Sequence, residues 1–153
     1  MDEGEALPPV KEAQIRATFA AQGLMRAMGV EIASLSAGRC VLAMPFSDRV
    51  GQQIGFFHGG AVGALGDTAG GYAALSLMDL NSDVLTLEYK INFLRPASGP
   101  LLLAIGSVLR QGRTVSVTRA EVFIEADGER RLCAAVQQSI MRIPPKPGGA
   151  DNA

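Results

Sequence analysis

The sequence predicts an α+β domain in which one long central helix is covered by an antiparallel sheet. Three observations carry this. The 153 residues suffice for one core and leave little room for two. Six short apolar or alternating stretches are joined by tight-turn signals rather than by helical crossovers. One stretch, residues 58–80, lacks proline and carries no charge except Asp67 and Asp79. It is the only element apolar enough to cover the face that a sheet must bury.

Taken in order, residues 1–9 are read as a flexible N-terminus. Their acidic, Pro-Pro-containing sequence matches neither a signal nor a transit peptide, so the cytoplasm is the expected compartment. The domain proper is expected over 10–143, followed by a disordered Pro/Gly-rich tail over 144–153. Residues 11–28 read as one helix. Ile15, Phe19, Leu24 and Met28 form its apolar stripe, Lys11, Glu12 and Arg16 lie outside it, and Gly29 closes it. Strands over 30–35 and 39–45 follow, turned by Ala37-Gly38. A polar, glycine-containing loop over 47–57 leads into the central helix.

Four more strands complete the chain. Residues 84–94 alternate, with Leu85, Leu87, Tyr89, Ile91 and Phe93 on one face and Thr86, Glu88, Lys90 and Asn92 on the other. Residues 101–110 are mostly apolar. Residues 114–126 change phase near Arg119-Ala120, where Val115 and Val117 give way to Val122 and Ile124, and a bulge or bend is expected there. Asp127-Gly128 signals a hairpin into residues 130–142.

Composition excludes several functions. The chain is 48% hydrophobic and 19% charged, a globular balance. A net charge of −1 offers no basic footprint, so no nucleic-acid partner is expected. His58 is the single histidine, and Cys40 and Cys133 form no CxxC pair. No metal site and no disulfide scaffold can be built from these.

The central helix is unusual in holding Gly59, Gly60, Gly63, Gly66, Gly70 and Gly71. Each helical glycine costs about 1 kcal/mol relative to alanine, which is tolerable where another element packs close to the backbone. A curved sheet would do so. A membrane span with small-residue faces is the competing reading, but Asp67 near its centre would be expensive, and no membrane partner is expected. A phosphate loop is the other, and neither of its glycine signatures occurs.

Asp67 is the sharpest chemical signal. A carboxylate inside an apolar helix either turns to solvent, caps a neighbouring element, or serves as general base or nucleophile in a cleft. His58 and Asp67 are nine residues apart, roughly 13–14 Å along a helix and about half a turn around it. If the two ends of this stretch cooperate, Asp67 must come from a second copy. That predicts a symmetric dimer with composite sites. Backbone N–H groups near Gly59 and Gly60 could polarise a carbonyl at the helix N-terminus. His58 could be a base, a carbonyl donor or a helix-entry residue, and positioning of the loop is the role assigned to it.

The stretch GQQIGFFHGGAVGALGDTAGGYAA resembles the motif of hotdog-fold acyl-CoA thioesterases of the phenylacetate-pathway (PaaI-like) type. That pattern is roughly N-x-x-G-x-x-H-G-G with an acidic residue nine positions after the histidine. Gly55, His58, Gly59, Gly60 and Asp67 match it, and the likeness runs on through VLTLEYKINFLRPA and LRQGRTVSVTRAEVF. The resemblance implies a long helix wrapped by a curved antiparallel sheet, and homodimers, often paired into dimers of dimers, with active sites between subunits. It implies that Gly59 N–H polarises the thioester carbonyl, that the partner's Asp67 activates water or attacks the carbonyl, and that Thr86 orients that water. The family's loop asparagine falls at Gln52, a departure. Coenzyme A carries phosphates, so Lys90, Arg95 and Arg113 are candidate contacts, with Gly60 and Phe57 beside the motif. No cofactor is implied, since coenzyme A is part of the substrate.

The function expected is hydrolysis of an acyl-CoA or aryl-CoA thioester to free acid and CoA. The alternatives are an acyl-CoA-binding sensor without turnover and a hotdog hydratase or dehydratase.

Overall fold

The computed structural model describes residues 4–147. The expectations for residues 1–3 and for the tail from 148 onward lie outside the described residues. The elements are α1 (Pro9–Ala20), α2 (Gly23–Met28), β1 (Glu31–Ser36), β2 (Arg39–Pro45), α3 (Gly59–Ser76), β3 (Asp83–Phe93), β4 (Leu101–Arg110), β5 (Val115–Ala126) and β6 (Glu129–Ile143). All six strands pair antiparallel in one sheet of order β1-β2-β4-β5-β6-β3. Among the described residues no helix is long and apolar enough to cross a membrane.

The N-terminal helix differs from expectation. Residues 11–28 are not one helix but two, broken where Gln22 turns extended at φ −73°, ψ 108°. Its side chain donates to Tyr72 Oη at 3.0 Å, and Gly23, a weak helix former, follows. The break lets each short helix seat its own apolar residues: Ile15 from α1, Met25 and Met28 from α2, while Leu24 of the expected stripe is exposed. Lys11, expected outside, is buried. Its Nζ donates to Asp79 O at 3.2 Å, and burial lowers its pKa. Gly29 closes α2 in the left-handed conformation at φ 71°, as expected. Ahead of α1, Ala37 N–H donates to Glu5 O at 2.8 Å.

The central helix ends at Ser76, four residues before the expected Leu80. The Ser76 hydroxyl donates to Ala73 O and accepts from Gly38 N–H, while Gln111 Nε2 donates to Leu77 O. Groups on the β1–β2 and β4–β5 turns thus satisfy the helix end.

The sheet curves around α3, which lies against all six strands. The register lays out its inner face as rows. Met44, Leu102 and Ile124 form one. Leu42, Ala104, Val122, Ala134 and Phe93 form the next, then Cys40, Gly106, Ala120, Val136 and Ile91. Leu65, Ala69 and Ala73 of α3 complete this core. A Cβ on Gly106 would lie 2.2 Å from Ala69 O, so helix backbone and sheet backbone are in direct contact there. This close approach accounts for small residues at the middle of the seam.

The strand alternation differs from expectation in two places. In β5 no phase change occurs at Arg119-Ala120. Ser116, Thr118, Ala120, Val122 and Ile124 are all buried in one continuous alternation, and Val115 and Val117 lie on the outer face. In β3 a bulge between Thr86 and Glu88 breaks the single apolar face. Thr86, paired with buried Ile140, faces α3 together with Tyr89, Ile91 and Phe93, and Leu85 turns outward.

Candidate active site

Residues 47–57 fold into a loop closed by a bridge between Gly51 and Phe57. Gly55 takes the left-handed conformation at φ 83°. Phe57 is buried, edge-on to Phe46 at 5.1 Å between ring centroids, and its N–H donates to Ala97 O. His58 N–H donates to Val50 O at 2.8 Å, anchoring the start of α3. The His58 ring then caps that start: Nδ1 accepts from Gly60 N–H at 2.8 Å. An accepting Nδ1 leaves the neutral ring's proton on Nε2.

This cap separates the two motif glycines. Gly60 N–H, expected to be free, is taken by His58. Ala61 and Val62 N–H groups both go to His58 O. Gly59 N–H has no partner among the described residues. It opens on a cleft of about 420 Å³ lined by Gln52, Phe57, Gly59, Val62, Phe93 and Arg95, among others. A Cβ on Gly59 would lie 3.2 Å from the Phe93 ring, so glycine keeps this donor open. Gln52 borders the cleft, yet its Oε1 accepts from Ile54 N–H two residues on and so braces its own loop.

Asp67 lies two turns further along α3. Counted from Gly59 it is eight residues on, roughly 12 Å, and the angular offset is only about 80°. Both therefore face β3: Gly59 meets Phe93, Gly63 meets Tyr89, Asp67 meets Thr86 and Gly71 meets Val84. Thr86 Oγ1 donates to Asp67 Oδ1 at 2.6 Å, and Gln138 Nε2 donates to the same oxygen and to Asp67 O, each at 2.9 Å. Asp67 is half-buried, and its Oδ2 is left without a partner among the described residues. Of the readings open from sequence, the carboxylate neither points idly to solvent nor caps another element. It is held by two donors with one oxygen free.

A chain with this fold and site has clear relatives. The Thioesterase superfamily profile matches residues 54–130, half of the chain. A Thioesterase family protein of Silicibacter pomeroyi has a crystal structure that superposes with a TM-score of 0.84 at 39% identity, covering 87% of this chain and 98% of that one. This chain belongs to the thioesterase superfamily. The fold is the hotdog fold, and PaaI-like proteins are its neighbours. The Escherichia coli PaaI protein from the phenylacetic acid degradation operon shares this fold, with a TM-score of 0.81 at 24% identity over 92% of this chain and 98% of that chain. A 1,4-dihydroxy-2-naphthoyl-CoA hydrolase of Listeria monocytogenes is 28% identical over 111 residues, 72% of this chain and 89% of its own.

Of the site residues expected from sequence, this thioesterase brings Gly59, Gln52, Phe57 and Arg95 together at the cleft, with His58 and Gly60 behind them. Asp67 and Thr86 form the second group. Lys90 and Arg113 join neither. Lys90 lies on the outer face of the sheet with its Nζ on Asn92 Oδ1 at 3.0 Å, and Arg113 lies exposed on the β4–β5 turn.

Gln138 was missed by sequence reasoning, as was Thr118 opposite it on β5. A signal for both existed. Gln138 falls in the period-2 register of Ala134, Val136 and Ile140, and a polar residue in a buried register needs a polar partner.

Proposed function

We propose that this thioesterase hydrolyses acyl-CoA or aryl-CoA thioesters to the free acid and CoA, in composite sites of a symmetric dimer. One observation carries the reading: a carboxylate with one oxygen tethered and the other free shares a helix with an unpartnered N–H that opens on an apolar cleft. The CoA hydrolase of Listeria supports the choice of substrate class.

The two groups are too far apart along α3 to meet on one small carbonyl, so the dimer supplies the second. β3 is an edge strand, and it exposes Leu85, Leu87, Tyr89 and Phe93, with exposed Leu94 just beyond its end. A long apolar edge with open backbone groups invites pairing. A two-fold axis through the middle of β3 lays the Phe93 end, with Gly59, beside the Thr86 end of the neighbouring copy. Gly59 N–H then donates to the thioester oxygen and stabilises the developing oxyanion. The partner's Asp67 acts at the carbonyl carbon through Oδ2, as base toward water or as nucleophile, and Thr86 orients that water. With Asp67 as base, the water oxygen bonds to the carbonyl carbon, the C–S bond breaks, and the proton taken by Asp67 passes to sulfur. With Asp67 as nucleophile, a mixed anhydride replaces the C–S bond, and water then opens it to the free acid and supplies the thiol proton. Arg95, which lines the cleft, is the candidate contact for a CoA phosphate, and Lys90 and Arg113 are the more distant candidates. The step uses no cofactor, and the cytoplasm is the compartment it suits. On the outer face, Val115, Met141 and Leu85 stand in one row, an apolar strip that a second dimer can cover.

The test is release of free CoA across a panel of acyl- and aryl-CoAs. Asp67→Asn should reduce kcat by roughly a hundredfold or more with the oligomer intact. Hydrolysis by this variant at near the wild-type rate would remove Asp67 from the mechanism. Tight ligand binding by the wild type with no thiol released would instead make the protein an acyl-CoA sensor.

A further inference from the structure

We propose that Gln138 is the positioning residue that fixes the Asp67 carboxylate, and that residue 70 is glycine to leave room for its amide. The inference rests on Asp67 being the reacting carboxylate.

Gln138 is 1% exposed, and its Nε2 bonds both the main-chain oxygen and Oδ1 of Asp67. Both are acceptors, so the amide has a single workable orientation. Bonding backbone and side chain of the same residue at once holds the Asp67 rotamer. With Thr86 on the same Oδ1, the clamp presents Oδ2 in a fixed direction.

That orientation sends Gln138 Oε1 away from Asp67, where it makes no hydrogen bond, and Thr118 Oγ1, on a residue 0% exposed, makes none either. The two residues face each other across β5 and β6 on the inner side of the sheet. Their oxygens converge on one point: a Cβ on residue 70 would lie 2.1 Å from Gln138 Oε1 and 2.8 Å from Thr118 Oγ1. No hydrogen bond links the two oxygens, so the amide is held by its two bonds to Asp67 and by the packing of Thr118 and Gly70 around its oxygen. Only glycine at position 70 lets the helix pass over the amide.

Steady-state kinetics on the intact protein test this, with wild type and Asp67→Asn as references. Gln138→Leu keeps the volume and removes the donor, and kcat should fall roughly thirtyfold with KM within about twofold. Gly70→Ala should lower kcat roughly tenfold by displacing the amide, while the melting temperature holds, because alanine is the better helix former. A second readout needs no turnover. In 15N-labelled protein the Gln138 side-chain amide protons should exchange slowly, and faster in Asp67→Ala. A Gln138→Leu kcat within about twofold of wild type overturns the proposal. So does a kcat loss matched in KM. Fast amide exchange in the wild type overturns the clamp directly. If the wild type releases CoA from no thioester, the functional reading fails instead, and the exchange data still decide whether the clamp exists.

Discussion

Toward the middle of the sheet, α3 rests on Cys40, Gly106, Ala120 and Val136, with its backbone against that of Gly106. Along β3 and the near ends of β5 and β6 it rests on Thr86, Thr118 and Gln138. One helix thus has a dry seam and a polar seam against the same sheet. Both use glycine, for different reasons. Gly106 lets two backbones touch, whereas Gly70 leaves space for a polar side chain that itself holds a carboxylate. Crowding on the dry seam is crowding of backbone and cannot relax. Crowding on the polar seam is crowding of a side-chain tip, which can move, at the expense of what it positions.

Substitution of the dry-seam glycine should give the largest effect on folding. Gly106→Ala drives a methyl to 2.2 Å from Ala69 O, with the Ala69 carbonyl carbon and Gly70 N close behind. We expect a loss of about 3 kcal/mol or more in urea-unfolding free energy. A wild-type midpoint for this variant would erase the distinction between the seams, since a backbone-on-backbone contact would then be soft.

The same distinction explains what could be read from sequence. The six strands, the central helix and the helix stop at Gly29 were all legible, and family resemblance singled out Thr86 and Asp67, though not the hydrogen bond between them. Each was marked by hydrophobic alternation, turn chemistry or a motif. The reading failed where the inner face turns polar. In β5, Val115 and Val117 looked like the buried residues and Ser116 and Thr118 like the exposed ones, so a phase change was inferred that does not exist. Alternation reports which residues are apolar, and burial follows it only where the covering element is apolar too. Here the covering element brings Asp67. The β3 bulge that turns Thr86 inward left no mark, because Leu85 and Leu87 continue the alternation of Tyr89, Ile91 and Phe93 in sequence although they are exposed.

The dryness of the first seam has a pH signature. Cys40 is fully buried, and burial pushes its thiol up to about 12 from an ordinary 9.0. Below pH 9 the thiol is protonated in both states and contributes nothing. Between pH 9 and 12 only the unfolded chain gives up the proton, so stability falls as pH rises. At pH 10 the Cys40 share of that loss is about 1.4 kcal/mol. Cys133, raised to about 11, and Tyr72, raised to about 12, act in the same direction. Urea midpoints between pH 8 and 11 should therefore decline in the wild type and decline less steeply in Cys40→Ala. Parallel slopes for the two proteins would mean that water reaches this seam.

The smallest effect is expected at the start of α3, where both seams end and the helix is held from outside. His58 Nδ1 caps Gly60 N–H on an exposed surface, so His58→Ala should cost only about 1 kcal/mol of stability. His58→Asn offers an acceptor at the same N-cap and should recover most of it, as read by thermal melts. Activity should not follow the same pattern. Losing the cap frees Gly60 N–H, but that group faces the His58 side, whereas the cleft is lined by Gly59. A second free donor there does not replace the first. What His58→Ala changes is the precision with which the first turn holds Gly59 N–H, so kcat should drop more than stability does, and His58→Asn should restore both. Should alanine at this position lower stability and leave kcat untouched, the histidine is a cap and nothing else, and the orientation of Gly59 belongs to the Val50 and Ala97 contacts of the loop alone.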